Sequence, residues 1–473
     1  MNRNRVVWWL FLFLTLEALF SIPFLNIELA LNRQGIRNAE IAIVATLVTC
    51  ALAWFFRKFW SRFFQSLANR LEAVSSLKCF FFCSLVGIAL RVLWVLAYPA
   101  PQHSDQATYF GLAQGLLVRH SYGVPHGGLA YWPPGYPLFL SCWFLVLGVK
   151  AWVPVVVNNF LFVPTLLVAN RLAARIGGSP AGKLAMILLT IWPAYVMTAG
   201  MASKEMLVLF LVPFALLLYT TTSSTQSFGA PKAILAGLFL GAASLTQPSL
   251  QLFLFVLVGW EWLRHENIGH AVGRTLLVAA AMVTVIFPWT LRNHRALGVW
   301  VPISSNGGDV FYRANNPLAT GGYTPAGEQN LDNLDEIARG RTGMQLGKEW
   351  VRQNPGKFLL LALRKQVLFL GEDGHGAFET LKRGLNIGGI QYFVWKGIAN
   401  AFWYLIWALI FFLFITRSKS SLSKQALFST LLLGCLYLYG IHSIFESGPK
   451  YHQPLMVFLA AIAAQAFSKT DPA

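Results

Sequence analysis

"YPLFLSCWFLVLGV", residues 136–149, is fourteen residues of almost unbroken apolar side chains, and whether it crosses a bilayer decides how the whole chain is threaded. A spanning helix needs about 20 apolar residues, so this stretch is short for a crossing. Lys and Arg collect on the cytoplasmic side of membrane proteins, and a crossing here would carry Arg171 and Arg175 to the outer side. The stretch therefore reads as an interfacial segment on the outer face. "FLLLALRKQVLFL" (358–370) reads the same way, because Arg364 and Lys365 interrupt it.

With those two held at the surface, the remaining apolar runs are 6–25, 41–56, 79–98, 152–170, 182–200, 206–222, 233–247, 249–263, 271–290, 391–415, 426–441 and 452–467. The chain is thus expected to be an all-α polytopic membrane protein with about twelve transmembrane helices. Placing Arg3 and Arg5 inside puts Arg57, Lys58, Arg62, Arg70 and Lys78 inside as well, followed by Arg171, Arg175, Lys183, Lys232, Arg264, Arg274, Arg417, Lys419 and Lys424. Composition agrees: of 473 residues 56% are hydrophobic and only 12% charged, too few charges to cover a soluble domain of this length. The net charge of +18 belongs to the inner loops rather than to a basic patch, so nucleic acid is not expected as a partner. The five cysteines all lie in apolar stretches and imply no disulfide framework; Cys79 and Cys83 share a helix face as buried thiols. The basic start and long apolar run of residues 1–25 read as an uncleaved first helix.

This threading divides the chain into two N-terminal spans (1–78), a transmembrane core (79–290) that includes a first outer segment (99–151), a long outer loop region (291–390), and C-terminal spans (391–473). The outer segments hold the chemistry. "PQHSDQATYF" (101–110) starts a helix at the mouth of the third span. Asp105 there suits a helix N-terminus as a cap worth about 1 kcal/mol. It equally suits a general base beside His103, able to take a proton from an attacking hydroxyl. Gly111 and Gly115, one turn apart, would let this helix pack closely on another surface. Tyr131, Trp132 and Tyr136 in "YWPPGYPLF" (131–139) fit an interfacial aromatic belt. Lys204 and Glu205 are adjacent charges in a tight outer hairpin, a costly arrangement that points to function, although Lys204 can also snorkel. Gln247 adds a polar group on the next outer hairpin. Arg292 and Arg295, with His294, cluster where two arginines can grip a phosphate or anchor the helix end. Glu446, Lys450 and His452 fall on the same outer face. Within spans, Glu17 and Arg91 can pair with each other or serve helix packing, and Gly237 and Gly241 have the spacing of a close helix contact. No nucleotide, zincin or serine-elbow motif is present.

The order of these features, an acid after a membrane helix, Tyr109 four residues on, then "PPGYPLF", "PWTLRNHRALGVWVPISSNGGD", "NNPLATGG" and "GPKYHQPLMVFLAAIAA", resembles the GT-C membrane glycosyltransferases. The nearest group is the bacterial relatives of protein O-mannosyltransferases and aminoarabinose transferases (glycosyltransferase family 39 and its RgtA/B/C/D-like kin). The resemblance covers most of the chain from about residue 80 and leaves the first two spans as an addition. It implies a GT-C-like fold with outer-face juxtamembrane helices. It also implies transfer of a sugar from a polyprenyl-phosphate donor to a glycan, lipid or protein acceptor, with inversion, at the periplasmic face of a bacterial inner membrane. By the same resemblance Asp105 is the base, Glu205 a second catalytic acid, and Arg292 and Lys450 hold the leaving phosphate. His103, Tyr109, Tyr136, Lys204, Arg295 and His452 complete the expected substrate-binding set. A divalent metal remains open, since the family's usual pair of adjacent acids is here Asp105 followed by Gln106. Two other classes stay open at this point: an O-antigen ligase or polymerase using the same carrier, and a lipid or solute transporter, though no internal repeat supports the latter.

Overall fold

The computed structural model describes residues 3–31, 36–124, 128–221, 229–264, 268–417 and 425–468. Lys419 and Lys424 lie outside the described residues. Seven helices are long and apolar enough to cross a membrane: Arg3–Ala30, Ile36–Phe55, Ser76–Ala97, Val153–Ile191, Ile268–Leu297, Gly389–Arg417 and Ala426–Ile444. The protein is an all-α, multi-pass membrane protein, and among the described residues no strand forms beyond one isolated bridge between Val124 and Gly128.

The 39-residue helix Val153–Ile191 is two limbs, because Gly178 inside it has φ 81° and ψ −176°. That left-handed φ, which glycine adopts without a Cβ penalty, turns the chain back on itself. A Cβ on Gly182 would meet Asn170 and Ala174 within 3 Å, and Asn158 Nδ2 donates to Ala199 O (2.9 Å) and Met201 O (2.8 Å). Residues 170 and 158 therefore face 182 and 199–201, an antiparallel hairpin, which accounts for the two spans read from the sequence. The other expected spans are shorter helices: Lys204–Thr220, Ala230–Thr246, Leu254–Arg264 and Met456–Ala463, the last two extended by 3-10 turns. The deciding stretch forms the 13-residue helix Gly135–Leu147, whose first residue abuts Thr246.

Gly237 and Gly241 do what their spacing predicts. A Cβ on Gly237 would lie 2.5 Å from Val278 O, and one on Gly241 would lie 3.1 Å from Met282 O, on the helix Ile268–Leu297. Gly237→Val should therefore lower the unfolding midpoint by the equivalent of about 1–3 kcal/mol of overpacking, and an unchanged midpoint would refute this contact. The expected spacing of Gly111 and Gly115 has no such role: Gly111 faces open space, and Gly115 backs onto Arg119 and Ser121 of its own segment.

The Glu17–Arg91 pair does not form. Glu17 accepts from Tyr439 Oη, whereas Arg91 is sandwiched between the rings of Phe162 (3.6 Å) and Tyr195 (4.3 Å) and donates to Gly87 O. Two aromatic faces and a carbonyl hold that guanidinium without a carboxylate, and its Nη2 has no hydrogen-bond partner among the described residues. The first helix is tied into the C-terminal half: Glu28 receives both ends of the Arg364 guanidinium at 2.7 Å, and Asn26 bonds Asn400. Several basic residues at one end of the bundle cap helix ends. Lys183 donates to Leu71 O (2.8 Å), Arg175 to Thr220 O (2.6 Å), Arg274 to Tyr219 O (2.7 Å) and Arg417 to Ser468 O (2.5 Å), where the negative end of a helix dipole favours a cation.

At the other end the segment 299–370 is built mainly of helices, Gly307–Ala314, Glu336–Gln353 and Pro355–Leu370. Gly308 crosses Gly340 so closely that a Cβ would lie 1.8 Å from Gly340 O, so a glycine is required there. Asp335 caps the second helix through Ile337 N and Ala338 N, both at 2.9 Å.

Candidate active site

The segments 104–109, 128–133, 201–205, 247–252, 306–339, 372–396 and 441–451 converge on one cavity of about 1910 Å³ at this end of the bundle. Its walls mix charged groups with apolar ones, among them Leu252, Leu297 and Phe393 at the ends of membrane helices.

The helix Ser104–Val118 opens onto it through a strained start. Ser104 has φ 50°, a left-handed conformation costly for any residue with a Cβ, immediately before Asp105. No side chain caps this helix. Asp105 instead accepts a 2.9 Å charge-assisted bond from Lys450 Nζ, 345 residues away, so the helix-cap reading gives way to a long-range ion pair. Burial works against the Asp105 carboxylate, but Lys450 and Lys204 together hold it below the ordinary aspartate value of 3.8. Burial likewise opposes the charge on Lys450, and Tyr451, Asp105 and Glu205 outweigh it and keep the lysine protonated.

Lys204 and Glu205 start the helix Lys204–Thr220 and both line the cavity. Ser203 Oγ donates to Glu205 Oε2 at 2.6 Å. Lys204 forms no ion pair or side-chain hydrogen bond among the described residues, and burial draws its ammonium below the ordinary lysine value. Tyr109 closes the wall behind them, its ring edge-on to Tyr136 and Trp132.

His103 Nδ1 lies 3.0 Å from Pro101 O and its Nε2 2.9 Å from Glu379 Oε2; Gln106 and Arg383 donate to the same Glu379 carboxylate. Glu379 lies in the π-helical turn Phe378–Gly384, a form of helix frequent at functional sites. His375, one turn earlier, is pushed down to about 4 by burial and by nearby Lys450, against the pull of Glu379, so it stands in the cavity wall as a neutral imidazole. On the opposite wall Arg313 lies between Asp309 (3.6 Å) and Glu446 (3.5 Å), and Arg339 grips Asp309 (3.1 Å).

Of the residues singled out from the sequence, the cavity brings together Asp105, Tyr109, Tyr131, Trp132, Lys204, Glu205, Gln247, Glu446 and Lys450. His103 stands behind them on Glu379. Tyr136 does not belong to an interfacial belt: it is wholly buried behind Tyr109. Arg292 does not reach the cavity, because its guanidinium is held by Leu129 O (2.6 Å) and Tyr122 O (2.8 Å) and stacks over Trp289; Arg295 is outside it too, and His294 stacks on Trp300. His452 is buried beneath the cavity, bonded to Phe369 O and to Asp373 Oδ1 (3.0 Å). Sequence reasoning missed Glu379, His375, Arg313 and Arg339. The signal for the first two was "GEDGHGAFETLKRG" (371–384), a glycine-punctuated charged run in a chain poor in charge.

Among the described residues no three His, Cys, Asp or Glu side chains come together as a set for a metal ion. The Lys450 ammonium already occupies the Asp105 carboxylate, and Gln106 is an amide turned to Glu379. The residues beside Asp105 do not fit a divalent cation.

No protein-family model matches the chain, and no curated protein matches it in sequence. Among solved structures it is similar to the archaeal oligosaccharyltransferase AglB from Archaeoglobus fulgidus, in complex with an inhibitory peptide and a dolichol-phosphate, at TM-score 0.52 and 10% identity over 87% of this chain. The match spans 50% of the oligosaccharyltransferase, about half its length. ArnT from Cupriavidus metallidurans bound to undecaprenyl phosphate also aligns, over 83% of this chain and 78% of that one, at TM-score 0.35 and 11% identity. With its helical hairpins, its juxtamembrane helices and its cavity at one end of the bundle, the chain has the GT-C fold of membrane glycosyltransferases.

Proposed function

We propose that this protein transfers a sugar from a polyprenyl-phosphate-linked donor to a hydroxyl of a glycan, lipid or protein acceptor, at the periplasmic face of a bacterial inner membrane. The observation that carries the reading is the Asp105–Lys450 pair beside the unpaired Lys204, in a cavity whose rim is formed by membrane-helix ends. A carboxylate and an uncommitted cation side by side are what a displacement at an anomeric carbon needs. The exposed side chains of Leu252 and Phe393 offer an apolar path by which a lipid-borne donor enters from the bilayer.

In this reading the acceptor hydroxyl attacks the anomeric carbon opposite the phosphate, and the configuration inverts. Its proton passes to the Asp105 carboxylate, the anomeric C–O bond breaks, and the electron pair leaves with the polyprenyl phosphate, which gains one negative charge. Lys204, the cation without a partner among the described residues, stabilises that growing charge more than it stabilises the bound donor, which is the condition for lowering the barrier, while Lys450 stays on Asp105 and orients it. A carboxylate of low basicity suffices, because the hydroxyl becomes acidic only as it bonds to an oxocarbenium-like carbon. Glu205, hydrogen-bonded to Ser203, keeps the Lys204 side of the cavity electrostatically balanced.

The test is release of polyprenyl phosphate from a panel of polyprenyl-phosphate sugars by the protein in lipid, with membrane extract as acceptor. Wild type should release it from at least one donor. Lys204→Met should turn over that donor about 10²–10³ times more slowly, the usual consequence of removing one group that faces developing negative charge. Release at the wild-type rate by this variant would remove Lys204 from the mechanism, and no release by wild type from any donor would reject the reading.

A further inference from the structure

The far end of the bundle carries a second surface with its own chemistry, on the helix Arg57–Ala73. This helix joins the spans Ile36–Phe55 and Ser76–Ala97, so both its ends are pinned at the membrane boundary. It packs through Phe64, whose ring meets Phe412 (5.1 Å) and Phe467 (4.3 Å). Phe412 lies about 24 Å along the helix Gly389–Arg417 from cavity-lining Lys396, at ~1.5 Å rise per residue, which is close to the thickness of a hydrocarbon core. The helix Arg57–Ala73 is therefore on the opposite side of the membrane from the cavity.

With successive residues about 100° apart, this helix has three faces. Phe64 and Ala68 are buried against the bundle. Phe59, Trp60 and Phe63 are 59%, 38% and 49% exposed on a second face that the described residues leave partly open. Lys58 and Arg62 stand on the third, one turn apart and exposed. Arg70, Lys78 and Arg171 are exposed at this end too, and what sets Lys58 and Arg62 apart is their position one turn from each other beside the aromatic face. Lys183, Arg175, Arg274 and Arg417 are engaged by backbone carbonyls, and Arg57 by Trp54 O. Lys58 and Arg62 have no hydrogen-bond or ion-pair partner among the described residues.

We infer that Lys58 and Arg62 form a binding site for the phosphate of an anionic phospholipid headgroup on the face opposite the cavity. The exposed aromatic face sinks to the acyl boundary, which brings the two cations to headgroup level, and a pair at i,i+4 spacing is close enough to grip one phosphate together. The occupant is a bilayer lipid rather than a soluble anion because the aromatic face accompanies the charge. The site is independent of the sugar-transfer reading.

The test uses the full chain in nanodiscs of mixed phosphatidylglycerol and phosphatidylcholine, with the retained lipids counted by native mass spectrometry. Wild type should retain phosphatidylglycerol preferentially and lose that preference as salt is raised. Each interfacial cation contributes about a fivefold factor, so K58Q/R62Q should bind the anionic lipid about 25-fold more weakly, with an unchanged unfolding midpoint. K348Q/K357Q, which removes two exposed cations from helices at the cavity end, should behave as wild type. Equal losses in both double variants would reduce the effect to net charge and overturn the site. A wild type indifferent to the headgroup would also overturn it and would leave this face to an acidic protein segment.

Discussion

Asp105→Asn should lower the rate of polyprenyl phosphate release by about 10²–10⁴-fold, the range a positioned general base contributes, while leaving the fold intact. The two effects separate because the Asp105–Lys450 pair is partly open to the cavity, with side-chain exposures of 43% and 27%. An ion pair so accessible to water contributes at most about 1 kcal/mol, so the amide variant should unfold at nearly the wild-type midpoint. The pH dependence carries the same signature. Asp105 titrates below 3.8, so the free enzyme's kcat/KM should hold its value down through mildly acidic pH and fall only below the ordinary aspartate range. An acid limb near neutrality would assign the proton transfer to another group. Release by Asp105→Asn at the wild-type rate would leave the carboxylate with a positioning role for Lys450.

Below the cavity, His452→Ala should destabilise the protein by about 3–5 kcal/mol, the cost of stranding a buried charge. Asp373 and His452 are both fully buried. Asp373 accepts from Trp192 Nε1 (2.7 Å) and from His452 Nε2 (3.0 Å), its backbone N–H donates to Asn400 (2.8 Å), and the His452 ring stacks on Trp403 at 4.3 Å. Removing the imidazole takes away one donor and the stacked ring together and leaves the carboxylate dry. Because Lys450 is two residues before His452 and His375 two after Asp373, the same substitution should disturb both groups in the cavity wall. An unfolding titration in mixed micelles checks the stability. A loss below about 1 kcal/mol would mean the network is not the clamp its geometry suggests.

Much of the architecture was legible because hydropathy is a local property. A run of apolar residues is compatible with lipid whatever the rest of the chain does, and the two-glycine contact at 237 and 241 and the reversal between 170 and 182 needed only neighbouring sequence. The cavity was legible in part for the same reason: charge in an apolar chain is costly, so Asp105, Lys204, Glu205 and Lys450 stood out. Arg292 stood out equally and lies outside the cavity. Nothing local distinguishes an arginine that will find Leu129 O and Tyr122 O from one left facing a cavity. Glu17 and Arg91 could be matched by charge, whereas the structure holds one against a tyrosine hydroxyl and the other between two aromatic rings.

The sequence by itself determined that this protein lives in a membrane and roughly where it crosses, since both follow from transferring side chains between water and hydrocarbon. Only the tertiary structure decided which charges meet. Asp105 and Lys450 are 345 residues apart, and His103 and Glu379 are 276 apart. Ion pairing falls off within a few ångströms in a solvated cavity, so its partners are chosen by how distant loops pack, a matter on which composition and periodicity are silent.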